Sequence, residues 1–218
     1  MQKRIFDKTT ALILLILLSP LIIISLIISF IETKSFPIFS QIRGLTIKGP
    51  LFPIYKIRTV IAQPSLRQPE RRSILLNEDI NNRVPKICGL MRIHGIDELL
   101  QLINVLKGEM CIIGPRPLDL YDLKYMAKSF AWANDERVKL KLKPGISGLW
   151  QLYGDRNTGA GNLIYWDKLY LANNSIAFDI KIILRTFNYF IGKDLKEYPI
   201  PATHKIVSPI KSIQVKAD

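Results

Sequence analysis

Two adjacent acids, Asp97 and Glu98, open a helical pattern, and four cations, Lys56, Arg58, Arg92 and Arg116, lie beside short apolar runs or Gly/Pro turns. The acids read in two ways. A carboxylate at a helix start caps free amides, with its neighbour merely solvated. The same helix end attracts phosphate, and two acids there divide labour: one attacks phosphorus and accepts it covalently, the other holds a divalent cation such as Mg²⁺, which takes few carboxylates together with phosphate oxygens. Each cation alone reads as a surface charge, but as a set they suit phosphate. Arg116 stands between Pro115 and Pro117, where a stiff backbone aims a guanidinium fork at little entropic cost.

Other chemistries find no support. There is no Gly-x-Gly-x-x-Gly fingerprint, the pair Gly44 and Gly49 lacks a following Lys-Ser/Thr, and no Gly-x-Ser-x-Gly elbow occurs. Cys88, Cys111, His94 and His204 give neither zinc spacing nor a disulfide framework, which fits a reducing compartment. The net charge is +13 over 218 residues, so an anionic partner is required. The basic residues recur along the chain rather than forming one arm, as expected for anionic membrane lipids plus a phosphate site. No nucleic-acid motif is present, and nucleic acid is not an expected partner.

These residues need elements to hold them. Residues 11–31 carry no charge and are mostly Leu and Ile, broken by Ser19-Pro20. The run is too long, and lacks a cleavage site, for a signal peptide. A spanning helix and a re-entrant helix-break-helix both remain. Pro20 kinks a helix, Ser19 can re-bond the freed carbonyl, and basic flanks on both sides give a spanning helix no clear orientation but are satisfied if both ends stay on the cytoplasmic side. Residues 36–60 read as loops with a small hairpin, and 61–85 as a mobile surface loop. Helices are expected over 97–107, ending at Gly108, and over 118–137, 163–171 and 179–191. The last is amphipathic, lying either in a membrane interface or in the core.

The chain resembles the bacterial sugar transferases, the monotopic polyprenyl-phosphate phosphoglycosyltransferases, in their small single-domain form. The similarity runs from Lys3-Arg4-x-Phe6-Asp7 through QIRG ending at Gly44, GPLFPIYKIRT ending at Thr59, IDELLQLINVLKGEMCIIGPRP ending at Pro117, KPGISGLWQ ending at Gln151, and Asp167-x-x-Tyr170. The pattern departs at Gly95, where Ser is usual, at Arg43 before Gly44, around Lys86 to Gly89, and at Asp155 before Arg156.

The resemblance implies a mainly α fold with minor β (α+β), monotopic, with interfacial amphipathic helices. Residues 1–35 would be a re-entrant anchor kinked at Ser19 and Pro20, 36–195 a cytoplasmic catalytic domain and 196–218 a tail. It makes Asp97 the nucleophile and Glu98 the Mg²⁺ ligand, and puts Lys56, Arg58, Arg92, Arg116 and Asp167 at the substrate and phosphate site. The implied reaction passes a phosphosugar from a UDP-sugar to polyprenyl (undecaprenyl) phosphate through a covalent aspartyl intermediate, releasing UMP, at the cytoplasmic face of the bacterial inner membrane. It would be the first membrane step of a surface glycan. The sugar and the oligomeric state stay open, a homodimer among the options.

Overall fold

Proline has no amide proton, and the first consequence along the chain is a bend. In the computed structural model, which describes residues 2–62, 83–155, 158–190 and 192, helices α1 (Gln2–Leu17) and α2 (Ser19–Thr33) meet at 64°. An unbroken helix would bond the amide of residue 20 to the carbonyl of Ile16, which Pro20 cannot do. Ser19 Oγ donates to that carbonyl instead, at 2.8 Å, so the break strands no acceptor. The straight helix that the uncharged run also allowed is therefore not formed. Among the described residues no single helix is long and apolar enough to cross a membrane; the bent pair together meets the length and composition.

Helix α2 turns hydroxyls inward beside Ile22. Ser25, Ser29 and Thr33, four residues apart, are buried, while Ile23, Ile24, Ile27, Phe30 and Ile31 are exposed. Ser29 Oγ donates to the Arg58 carbonyl at 2.6 Å, and Thr33 Oγ1 to the Ser29 carbonyl at 2.8 Å. Inward hydroxyls and outward aliphatics reverse the pattern of a helix in water.

The rest is mainly helical around short strands. The hairpin expected within 36–60 is β1 (Ile38–Gly44) and β2 (Leu51–Ile57), antiparallel, with Phe39 opposite Lys56. Helix α3 (Lys86–Ile93) leads to a 3-10 turn, Ile96–Gln101, then α4 (Leu102–Lys107) and β3 (Cys111–Ile113). Strand β4 (Leu118–Asp119) joins the free edge of β1, and β5 (Gly145–Ser147) pairs in parallel with β3. Helices α5 (Leu120–Ser129), α6 (Ala131–Lys139), α7 (Leu149–Tyr153), α8 (Gly159–Asn173) and α9 (Ile176–Phe190) complete the body.

Three expectations change. The helix over 97–107 is a 3-10 turn followed by α-helix, closed as foreseen by Gly108 at φ 80°. The helix over 118–137 is two helices broken at Phe130, whose ring turns inward against the cluster of Leu123, Met126 and Trp150. The helices over 163–171 and 179–191 start earlier, at Gly159 and Ile176. Most of the loop expected over 61–85, from 63 to 82, and the tail over 196–218 lie outside the described residues.

Helix α1 belongs to the body as well as to the bent pair. Lys3 pairs with buried Asp179, and Asp7 Oδ1 accepts the Ile112 amide at 3.1 Å. Ala11 is fully buried in the main core with Ile54, Val105, Ile113 and Ile182. The Tyr170 hydroxyl lies 2.8 Å from both Asp179 Oδ1 and the Ile113 carbonyl oxygen. The Lys3 to Asp7 segment and Tyr170 thus meet at one place, clamping α1 and α9 to β3.

Candidate active site

Asp97 and Glu98 sit in the 3-10 turn, not at the cap of an α-helix. Gly95, at φ 65°, occupies the cap position and no side chain caps the turn, so the capping role expected of Asp97 is not the one it has. The Asp97 side chain is buried, 6% exposed. Burial pushes its carboxyl up to about 6; Lys56 and Arg92 pull it down and Glu98 adds to the rise. Burial would raise Glu98 too, but Lys56, Arg116 and Arg43 outweigh it and bring that carboxyl down to about 2. One acid is thus poised near neutrality and its neighbour is firmly ionised, a division of labour set by surroundings.

Lys56, Arg92 and Arg116 act on the acids from separate elements, and Arg58 lines the same cavity. Lys56, on β2, places Nζ 2.5 Å from Glu98 Oε1. Strand β2 is fixed to the acid-bearing segment by Asn104, fully buried, which accepts the Tyr55 amide at 3.2 Å and donates to the Pro53 carbonyl at 2.7 Å. Arg58, just past β2, donates to the Phe36 carbonyl at 2.8 Å and lies over the Phe39 ring. Arg92, in the last turn of α3, donates to Thr59 Oγ1 at 3.1 Å. Arg116 follows β3 in the Gly-Pro-Arg-Pro turn, its guanidinium 5.3 Å from the centre of the Trp150 ring. That turn is held by backbone bonds from Gly114 to Ser147 and from Gly145 to Pro115.

A cavity of about 920 Å³ is lined by Lys56, Arg58, Arg92, Asp97, Glu98 and Arg116 together. These residues are scattered over 61 positions of the chain, Lys56 to Arg116, and the fold brings them to one wall system. Asp167 is not in that lining. It is 1% exposed on α8 and accepts from Arg137 Nε at 2.7 Å. Ser19 and Pro20 are also outside it, although Leu14 and Leu18, around the bend, line it.

Sequence reading missed several contributors. Arg43 lines the cavity, donates to the Pro117 carbonyl at 3.0 Å and lowers Glu98. Arg137, one of the basic residues that recur along the chain, is buried. Asn104 and Thr59 lie within the motifs that carry the resemblance, but nothing there singles them out, because a buried Asn or Thr has no spacing rule.

Among the described residues no group of three or more His, Cys, Asp or Glu side chains gathers as for a metal ion. An ion held mainly by phosphate oxygens needs only one or two carboxylates. An ionised Glu98 in a cavity lined by Lys56, Arg58, Arg92 and Arg116 fits that demand.

The chain matches the bacterial sugar transferase family over residues 1–193. It belongs to that family. A bacterial sugar transferase of Caulobacter vibrioides, UDP-glucose:undecaprenyl-phosphate glucose-1-phosphate transferase, is 32% identical over 203 residues, covering 89% of this chain and 71% of its own. The exopolysaccharide production protein ExoY of Sinorhizobium fredii is 31% identical, covering 85% and 83%. The undecaprenyl-phosphate galactose phosphotransferase of Salmonella typhimurium is 29% identical, covering 88% of this chain but 41% of its own length. This chain therefore spans about two fifths of that relative. The family resemblance read from the motifs, and the transferase class, hold.

Proposed function

We propose that this sugar transferase passes a phosphosugar from a UDP-sugar to a polyprenyl phosphate, with Asp97 as covalent nucleophile. The observation that carries the reading is one cavity lined by a buried carboxyl raised to about 6, an ionised carboxylate and four cations, Lys56, Arg58, Arg92 and Arg116.

In the first step an Asp97 carboxylate oxygen attacks the sugar-linked phosphorus. The bond from that phosphorus to the bridging oxygen breaks, and the oxygen leaves with UMP. In the second step an acceptor phosphate oxygen attacks the same phosphorus, and the Asp97 carboxylate departs. Lys56, Arg58, Arg92 and Arg116 hold phosphate oxygens and stabilise charge developing there, which is where phosphoryl transfer needs help. Arg116 presents a planar fork suited to two oxygens at once. Glu98 would hold Mg²⁺, which when bound neutralises phosphate charge. A raised pKa suits Asp97: a carboxylate only partly stabilised by its surroundings is the better nucleophile and still leaves in the second step.

The apolar outer faces of α1 and α2, the break at Pro20 and the basic flanks support a re-entrant seat at the cytoplasmic face of the bacterial inner membrane. A lipid acceptor requires a nucleophile near the headgroups, which such a seat supplies.

The test is intact-protein mass spectrometry after incubating detergent-solubilised protein with a UDP-sugar and Mg²⁺, without acceptor. The expected result is UMP release with a mass gain of one phosphosugar, absent in Asp97→Asn and discharged by polyprenyl phosphate. Turnover without an adduct, with Asp97→Asn still active, would mean direct one-step displacement. No UMP from any UDP-sugar would overturn the whole reading. The relatives name glucose in one case and galactose in another, so the donor screen spans several sugars.

A further inference from the structure

An aromatic ring reaches within two residues of Asp97, and a missing side chain lets it in. Gly95 is held at φ 65°, and a Cβ placed there would lie 2.3 Å from Cζ of Phe190. The backbone of the same phenylalanine is pinned: its carbonyl oxygen lies 2.7 Å from His94 Nδ1. The last turn of α9 is therefore docked on the segment that leads into the acidic turn.

Gly95 and Phe190 line the cavity with Asp97, and the lining continues through Ile93, Ile183 and Phe187. Ile93 and Phe187 are 66% and 63% exposed. An apolar path thus runs from the outside of α3 and α9 to the neighbourhood of the nucleophile. Hydrocarbon walls offer no hydrogen bonds, and a polar group pressed against them loses those it made to water. A nucleotide-sugar is polar at both ends, whereas a polyprenyl phosphate has a hydrocarbon chain ending in a phosphate.

We propose that this wall is the seat of the acceptor's first isoprene units, resting on the reading of the chain as a polyprenyl-phosphate transferase. The chain enters between α3 and α9, lies on Ile93, Phe187 and Phe190, and delivers its phosphate to the cationic part of the cavity beside Asp97. Gly95 is a positioning residue for the ring, since at that φ and distance any side chain forces Phe190 away.

Two experiments test this on the full chain in detergent. First, a polyprenyl phosphate carrying a diazirine in its first isoprene unit is photolysed with the unaltered protein, and the adducts are mapped by peptide mass spectrometry. Adducts on Ile93, Phe187 or Phe190 are expected; adducts confined to α1 and α2 would overturn the proposal. Second, Phe190→Ala should raise the acceptor KM about tenfold, the equivalent of about 1.4 kcal/mol, with the donor KM unmoved. Gly95→Ala should do the same, and Phe190→Leu should recover most of the loss. A rise in donor KM instead would make the ring a sugar or base platform and overturn the seat. UMP release without acceptor, measured on the same samples, separates the two levels. If it is absent, the transferase reading fails; if it is present and the adducts lie elsewhere, only the seat fails.

Discussion

Arg137 Nη2 donates to the carbonyl oxygen of Arg116 at 2.8 Å. The same guanidinium donates from Nη1 to the Leu45 carbonyl at 3.1 Å and from Nε to Asp167 at 2.7 Å. The Arg137 and Asp167 side chains are 0% and 1% exposed. A buried arginine with a counter-ion and two carbonyls is well satisfied, and here one of the carbonyls belongs to the residue that reaches into the cavity. Asp167, expected at the substrate site, connects to Arg116 through Arg137.

Removing one member of this pair strands the other in the interior. Asp167→Ala or Arg137→Ala should each cost about 3–5 kcal/mol, measured by urea unfolding in detergent followed through tryptophan fluorescence. The apolar pair Arg137→Met with Asp167→Leu should recover much of the stability but not the rate, because the Arg116 carbonyl still lacks its donor. Full recovery of both would show that the pair does nothing for Arg116.

Arg116→Lys keeps the charge and loses the fork, and changes the contact of the guanidinium over the Trp150 ring. The rate of UMP release should fall by about tenfold or more, with the protein still folded by circular dichroism. Wild-type turnover would leave Arg116 a turn residue only.

The pH profile follows from the acidic pair. Asp97 must be ionised to attack, and its carboxyl is raised to about 6. UMP release should therefore rise with pH through about 6 and then level off, and fall as pH drops below it. Glu98, held at about 2, should add no second limb above pH 4. A single-turnover profile between pH 4.5 and 8 reads this directly; flat behaviour across about pH 6 would place the ionisation elsewhere.

A raised carboxyl has a stability cost with a definite sign. The folded state binds the Asp97 proton more tightly than the unfolded chain does, so this group's penalty is present at neutral pH and disappears as pH falls through about 6 toward its ordinary 3.8. Asp97→Asn removes it. That variant should be more stable than the native chain at pH 7.5, by an amount of order 1–3 kcal/mol, with the gap about halved at pH 5 and closed only below its ordinary 3.8. Thermal unfolding at the two pH values measures it, and a variant no more stable at pH 7.5 would contradict the burial argument.

Pro20→Ala returns an amide to the carbonyl that Ser19 now satisfies, so the bend should relax toward a straight helix. Cysteines introduced as Gln2→Cys and Val215→Cys report topology in intact cells with a membrane-impermeant reagent. With Pro20 in place neither should label from outside; with Pro20→Ala one end should. External labelling of one end in the proline-containing chain would rule out the re-entrant seat.

Much of this molecule was legible along the chain. The uncharged run, Pro20 and the Ser19 hydroxyl act within one helical turn, and the break followed from the missing amide alone. Gly108 closed its helix as its position required, and the stiff Gly-Pro-Arg-Pro turn holds Arg116 at the cavity wall for the same local reason. The acidic pair was visible as a pair, and the motifs named the family. Local chemistry of this kind is written in neighbouring residues.

The tertiary structure decided the rest. Asp97 and Glu98 are chemically similar acids in sequence; burial raises one and Lys56, Arg116 and Arg43, brought from distant strands and turns, lower the other. Nothing local marks Arg137 as buried; the fold encloses it with Asp167, and Phe190 meets Gly95 because α9 returns across the site. Charge and desolvation act through space over a few ångströms, so a carboxyl's pKa, a guanidinium's burial and a ring's seat depend on which distant segments fold together.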